Sequence, residues 1–225
     1  FEDEGFIIVR KPAGLLSVPG RKPEHQDSLI TSLKTRYDTA QIVHRLDMDT
    51  SGVMVVALNA DTHRHFSAQF ERRLVKKRYQ ALLSGVLTKT HDPQGVVNAP
   101  LICDWPNRPR QMVDFDLGKK AQTRYKVADC SKTKTRVYLY PVTGRSHQLR
   151  VHMAEIGNPI LGDGKYGGKK AFLNKITPQI NLHAREIKIP HPDGGGTIKV
   201  QAPLPPHMIR CWKFFGLNSD TVFET

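Results

Sequence analysis

Apolar residues of this chain recur in runs of strand length that stop at turn residues, and this limits the fold more than any other feature. FIIVRKPAGLLSVPG, near the start, reads as a short buried strand running into a Pro/Gly-punctuated loop. QIVHRL and GVMVVAL read as two strands joined by the polar turn DMDTS, and RYQALLSGVL as a further strand. AQTRYKVADC and TRVYLYPV make a strand pair across SKTK, and NLHAREIKIPHPDGGGTIKVQAP a hairpin-like pair across a Gly-rich turn. Helices are fewer. Asp27 or Ser28 caps one through LITSLKTRY, and Asn59 caps another from Ala60 to about Arg73, with His63, Phe66, Ser67 and Phe70 on one face. SHQLRVHMAEIG is a helix with Ser146 as N-cap, the stripe Leu149, Met153 and Ile156, and Gly157 as its stop. HMIRCWKFF is a last short helix. Strands that outnumber helices and follow one another through short turns predict an α+β fold on a mixed, largely antiparallel sheet, not repeated βαβ units. No internal repeat or low-complexity linker interrupts residues 1–225, so a single domain is expected.

Charge narrows the partner. Lys and Arg number 34 against 21 Asp and Glu, a net charge of +13 and a pI near 9.8. Such a balance favours a polyanion, nucleic acid before an anionic membrane. The three cysteines, Cys103, Cys130 and Cys211, are odd in number, far apart and without a CxxC pair. Neither a zinc ribbon nor a disulfide framework fits them, and reduced thiols suit a cytoplasmic protein. No apolar run reaches the ~18 residues that span a bilayer, and no signal-peptide pattern opens the chain. It starts at Phe1 rather than Met, which leaves room for a leader or a small domain upstream.

The stretch VHRLDMDTSG sets two carboxylates, Asp47 and Asp49, two residues apart beside Arg45. One reading is a magnesium-binding Asp-x-Asp pair of a phosphotransferase. Magnesium wants octahedral oxygen ligands, whereas His44 and Arg45 precede the pair and no acidic cluster follows. A plainer reading makes both aspartates turn-formers, with Thr50 and Ser51 bonding the backbone; this suits Asp49. Asp47 admits a sharper one: a lone buried carboxylate beside a cation, able to act as nucleophile or base without a metal. RRLVKKRY carries Arg72, Arg73, Lys76, Lys77 and Arg78 with only Glu71 alongside, and ends on Tyr79. It is either a solvated face or a phosphate-binding run beside a stacking ring. TGRSHQLRVHM adds Arg145 at a helix entrance and Arg150 a turn inside, an anion site or a salt bridge. GDGKYGGKK lacks P-loop spacing, the ten histidines show no metal-ligand spacing, and no GxSxG occurs.

Taken together these pieces resemble the RluA family of pseudouridine synthases. HRLDMDTSG (His44 to Gly52) is similar to the family's catalytic motif, RKPAGL (Arg10 to Leu15) to its opening strand and loop, with Arg10 where Asn or Asp is usual. KRYQALLSG (Lys77 to Gly85) resembles its Lys-x-Tyr-x-Ala strand and TGRSHQLRVHM (Thr143 to Met153) its arginine motif. NPILGD (Asn158 to Asp163), LHA (Leu182 to Ala184) and APLP (Ala202 to Pro205) follow in order, and PLICDWPNRPRQ (Pro100 to Gln111) resembles the RluA subgroup itself.

That resemblance implies a pseudouridine-synthase catalytic domain over residues 1–225, without the N-terminal S4 domain that many relatives carry. It implies isomerisation of uridine in a tRNA anticodon stem-loop and in large-subunit (23S) ribosomal RNA. No cofactor and no metal are needed, because substrate and product are isomers; a monomer free of membrane is expected. By the same resemblance Asp47 is the catalytic aspartate, Arg150 pairs with it, and Tyr79 lies against the uracil and assists proton transfer. Arg45 fills the gap left by the flipped base. His44, Arg145, Arg72, Arg73, Lys76 and Lys77 complete the expected RNA-facing set. A non-catalytic RNA-binding protein that retains the fold is the rival of a different class.

Overall fold

In a computed structural model, which describes residues 1–87, 94–171 and 179–217, the first elements are β1 (Phe6–Lys11), α1 (Leu29–Lys34), β2 (Gln41–Ile42), β3 (Ser51–Ala57), α2 (Ala60–Glu71) and β4 (Lys76–Ser84). There follow β5 (Gln94–Asn98), β6 (Leu101–Cys103), β7 (Gln111–Val113), β8 (Gln122–Cys130) and β9 (Lys134–Pro141). The last are α3 (Gln148–Glu155), β10 (Leu182–Pro190), β11 (Thr197–Gln201) and α4 (Pro206–Phe214). These elements fall into two compact units: Phe1–Arg78 with Ala184–Pro203, and Tyr79–His183 with the residues from Leu204 on. The chain passes between them inside β4, inside β10 and again from Pro203 to Leu204, between β11 and α4.

In the first unit β3 is buried at every residue, which is why SGVMVVA shows no polar alternation. β1 pairs with it antiparallel from Phe6↔Ala57 to Lys11↔Gly52. β2, antiparallel, and β10 share its other edge, and β11 pairs antiparallel with β10. Ser28 caps α1 in a capping box with Thr31, and Asn59 caps α2 by accepting from Thr62 N. Ile7, Ile30, Ala40 and Val56 form one core cluster, while Phe66 meets Phe6 edge-on at 5.1 Å.

In the second unit β4, β9, β8 and β5 pair antiparallel in that order. Strand periodicity sorts β4 between two helices. Ala81 and Leu83, with Val137 and Leu139 of β9, pack on Leu149 and Met153 of α3. Leu82 is buried instead with Met208, Cys211 and Trp212 of α4. β6 and β7 form a separate antiparallel hairpin around the short 3₁₀ turn Trp105–Asn107.

Several boundaries differ from those expected, three of them as follows. β2 stops at Ile42, because the His44 side chain takes over: its Nε2 accepts the Val55 N–H at 3.0 Å in place of a longer ladder. α1 stops at Lys34, short of Tyr37. α3 starts at Gln148, and Ser146 does not cap it, since His147 at φ 52° breaks the helical path. The Gln148 side chain closes that entrance. Its Oε1 accepts from Arg145 N and Thr143 Oγ1, and its Nε2 donates to Gln122 O and Thr123 Oγ1. The strand β5 and the β6–β7 hairpin were beyond sequence periodicity, their runs being too short to set a period.

Candidate active site

Asp47 lies half-buried in the irregular segment between β2 and β3, whose backbone is wired on both sides of it. Before it, the Ser17 hydroxyl donates to Leu46 O at 2.8 Å and accepts from Leu46 N at 3.1 Å. After it, Met48 O accepts from Gly14 N at 2.9 Å and from Lys11 Nζ at 3.0 Å. Asp47 O itself accepts from Thr50 N at 3.1 Å, closing the turn that the sequence predicts. The Thr50 hydroxyl, expected to bond the backbone there, is buried without a hydrogen-bond partner. A carboxylate whose neighbours are fixed in this way is aimed before any ligand arrives.

Lys11 was not singled out by sequence reasoning, and it is the centre of the wiring. The side chain is fully buried at the end of β1. Its three N–H groups meet three carbonyls: Pro12 at 2.8 Å, Leu15 at 2.6 Å and Met48 at 3.0 Å. The signal was present: a lysine closing an apolar strand, followed by Pro-Ala-Gly, whose bent backbone leaves carbonyls in need of a donor. Burial pulls its pKa from 10.5 down to about 8, against the charges of Asp47 and Asp49, which hold it up. Above about pH 8 the neutral amine has two N–H groups for three carbonyls. The site's rate constant under single-turnover conditions is therefore expected to be level below that pH and to fall above it. Unfolding is not the cause of such a fall. The unfolded chain keeps the proton to about 10.5, so it binds more protons than the folded one, and Lys11's contribution to stability rises with pH across that window. A profile still level at about pH 9.5 would separate Lys11 from the loop's competence.

The other expected residues of the first unit divide. Arg45 is exposed, two residues from Asp47 with buried Leu46 between them. His44 has its Nε2 engaged by Val55 N–H and its ring stacked on Phe70 at 4.6 Å. Burial, helped by the Lys77 charge, brings its pKa to about 3, so it supports the loop as a neutral ring. Arg72, Arg73 and Lys76 are exposed at the end of α2 and the start of β4. Lys77 is half-buried with its ammonium 5.7 Å from the Phe70 ring centre. Arg78 leaves the run altogether. It donates to Glu186 at 2.9 Å, both side chains largely buried, so Glu71 is not the only acidic partner of this segment. Glu186 lies 108 residues further along, beyond the reach of a local reading.

In the second unit Tyr79 stands on β4 opposite Leu139 and packs, half-buried, against the cluster under α3. Arg145 is exposed, with Nε donating to Lys120 O at 3.2 Å. Arg150 is buried in the first turn of α3. Its Nε and Nη2 form a two-point bridge to Asp163 at 2.8 and 2.7 Å, with the two side chains 2% and 0% exposed. Sequence reasoning quoted Asp163 in NPILGD without giving it a task. A lone carboxylate in an otherwise apolar and glycine-rich stretch was the sign that it answers a cation. Among the described residues no group of three or more His, Cys, Asp or Glu side chains is gathered as metal ligands are, and no helix is long and apolar enough to cross a membrane.

Comparison with known proteins gives the family of this basic α+β chain, in which Asp47 is held in a wired loop. Residues 5–155 match the family model described as RNA pseudouridylate synthase. The chain is 48% identical over 204 residues to the dual-specificity RNA pseudouridine synthase RluA of Escherichia coli (strain K12), covering 90% of this chain and 91% of that one. It is 48% identical over 196 residues to the protein so named in Yersinia pestis, covering 87% and 93%. The solved structure of human RNA pseudouridylate synthase domain containing 1 superposes with a TM-score of 0.77 at 26% identity, covering 94% of this chain and 85% of that one. The chain belongs to the RNA pseudouridylate synthase family, whose members are isomerases.

Proposed function

We propose that this chain converts uridine to pseudouridine in a tRNA anticodon stem-loop and in 23S ribosomal RNA, acting as one catalytic domain, a cytoplasmic monomer without cofactor or metal. The observation that carries this is the wired loop around Asp47, in a sequence nearly half identical over 90% of its length to relatives named dual-specificity RNA pseudouridine synthases. The reaction breaks N1–C1′, turns the uracil and joins C5 to C1′; C5 loses a proton and N1 gains one. Atoms balance without an oxidant or a co-substrate. In this reading Asp47 is the reagent, Arg150 its guanidinium partner, and Tyr79 the ring against the uracil that assists proton transfer. Pseudouridine detected on stem-loop RNA after incubation with the protein tests it, and RNA binding without product would favour the non-catalytic rival.

Arg45 carries a separate expectation. The reacting atoms cannot be reached in a stacked loop, so the base is extruded at a cost of a few kcal/mol. An exposed guanidinium beside Asp47 can stack where the base was and offset part of that cost. Arg45→Ala is expected to lose roughly 100-fold in single-turnover rate on a structured stem-loop, the magnitude of one lost positioning contact. It is expected to lose far less on RNA whose target uridine lies next to an abasic position. Equal losses on both substrates would leave Arg45 as electrostatic support only.

Phosphate contact falls to the exposed part of the basic run. Because Lys77 rests on Phe70 and Arg78 is paired with Glu186, the informative pair is Arg72 and Lys76, both exposed. Neutralising the two together is expected to flatten the slope of log K against log[salt] by roughly one to two, from ~0.7–0.9 per phosphate contact. An unchanged slope would make this segment a solvated face.

A further inference from the structure

The turn from Asp163 to Tyr166 joins Arg150 to the β6–β7 hairpin through side chains that the pseudouridine chemistry does not itself call for. Asp163 Oδ1 accepts from Lys165 N at 2.9 Å and Tyr166 N at 3.2 Å, so the carboxylate that grips Arg150 is fixed by its own turn. The Tyr166 ring centre lies 5.4 Å from the Arg150 guanidinium and 5.4 Å from that of Arg110, which leads into β7. Its hydroxyl accepts the Gln111 N–H at 2.8 Å and stands 2.6 Å from His147 Nδ1. Besides the backbone N–H that it accepts, the hydroxyl shares one hydrogen bond with His147, the residue that opens α3, its direction set by the ring's tautomer. Tyr166 also packs with Val113 of β7 against Leu101 of β6 and Val151 of α3. The hairpin presents Trp105 with the Arg108 guanidinium 3.6 Å over its ring, an exposed cation–aromatic surface of the kind that stacks on nucleic acid.

We propose that Asp163 and Tyr166 are positioning residues. Asp163 sets the plane of the Arg150 guanidinium, and Tyr166 ties that plane to the hairpin, so that RNA seated on the hairpin is held in register with Arg150. The inference rests on the reading of Arg150 as part of the active site. Charge and packing both favour it over a purely structural bridge. A two-point guanidinium bridge already satisfies Asp163, yet Tyr166 adds a second arginine and a hydroxyl bond from another element to the same spot.

The test compares wild type, Tyr166→Phe, Arg150→Lys and the double variant for single-turnover isomerisation at saturating stem-loop RNA and for RNA affinity, with thermal melting as the check on folding. Tyr166→Phe removes one hydroxyl. Its saturated rate is expected to fall roughly tenfold, the scale of a small misplacement, with affinity within twofold of wild type. On the Arg150→Lys background the same change is expected to cost nothing further, because both act through one guanidinium. His147→Gly, which tolerates the left-handed backbone and removes the ring nitrogen bonded to the hydroxyl, should show the same pattern and serves if Tyr166→Phe is unstable. A full repeat of the tenfold loss on Arg150→Lys, or a loss confined to affinity, would overturn the proposal. An Arg150→Lys protein as fast as wild type would instead remove Arg150 from the active site, and the proposal with it.

Discussion

Asp47→Asn is expected to bind RNA as tightly as the wild type and to form pseudouridine at least roughly 10⁴-fold more slowly, the scale on which a single reagent group is lost from an enzyme. The substitution keeps size and shape and removes the charge and the nucleophilic oxygen. The loop bonds described above are made by the backbone of Leu46, Asp47 and Met48 and by Ser17 and Lys11, and none of those runs through the Asp47 carboxylate. Single-turnover rates beside filter-binding affinities measure the two effects separately. A parallel fall in both would mean that the carboxylate holds the loop or the RNA rather than doing the chemistry.

Gly52→Ala is expected to be the most damaging small change in the first unit. Gly52 sits at φ 129°, a backbone region that residues with a Cβ rarely adopt, and a Cβ there would lie 2.3 Å from Ala184 O and 2.5 Å from Ala184 N. Both obstacles are backbone of β10, which cannot swing aside as a flexible side chain could. Backbone strain of about 1–3 kcal/mol adds to an overpacking cost of about 1–3 kcal/mol. Against a total stability of roughly 5–15 kcal/mol, the sum should lower the melting midpoint by roughly 5–20 °C. A midpoint within a degree of wild type would mean that β3 and β10 can part without cost.

Glycine at the end of HRLDMDTSG was visible in the sequence, but its reason was not, since Ala184 lies 132 residues away and only strand pairing brings it near. The same distinction runs through the site. Asp47 stood out because HRLDMDTSG resembles a catalytic motif, whereas its residues alone left a turn-former and a lone carboxylate beside a cation both open. Strands with clear apolar runs, such as β1, β3 and β9, were readable because burial is written into their own residues. Lys11 and Asp163 were passed over because the local signs they carry do not name their partners, three carbonyls for one and a buried guanidinium for the other. The basic run misled at Arg78 and Lys77 for a similar reason. Charge density is a local property, whereas Glu186 and the Phe70 ring reach those residues through the fold.

Pseudouridine formation itself is the most direct measurement. Purified protein is incubated with a tRNA anticodon stem-loop and with a 23S ribosomal RNA fragment, in excess EDTA and without added cofactor, and pseudouridine is read by mass tagging after single-turnover sampling. Product at a defined uridine in both RNAs, and none with Asp47→Asn, is the expected result. RNA that is bound but left unmodified would contradict it, as would a chemical step that starts only when Mg²⁺ is restored to RNA already folded.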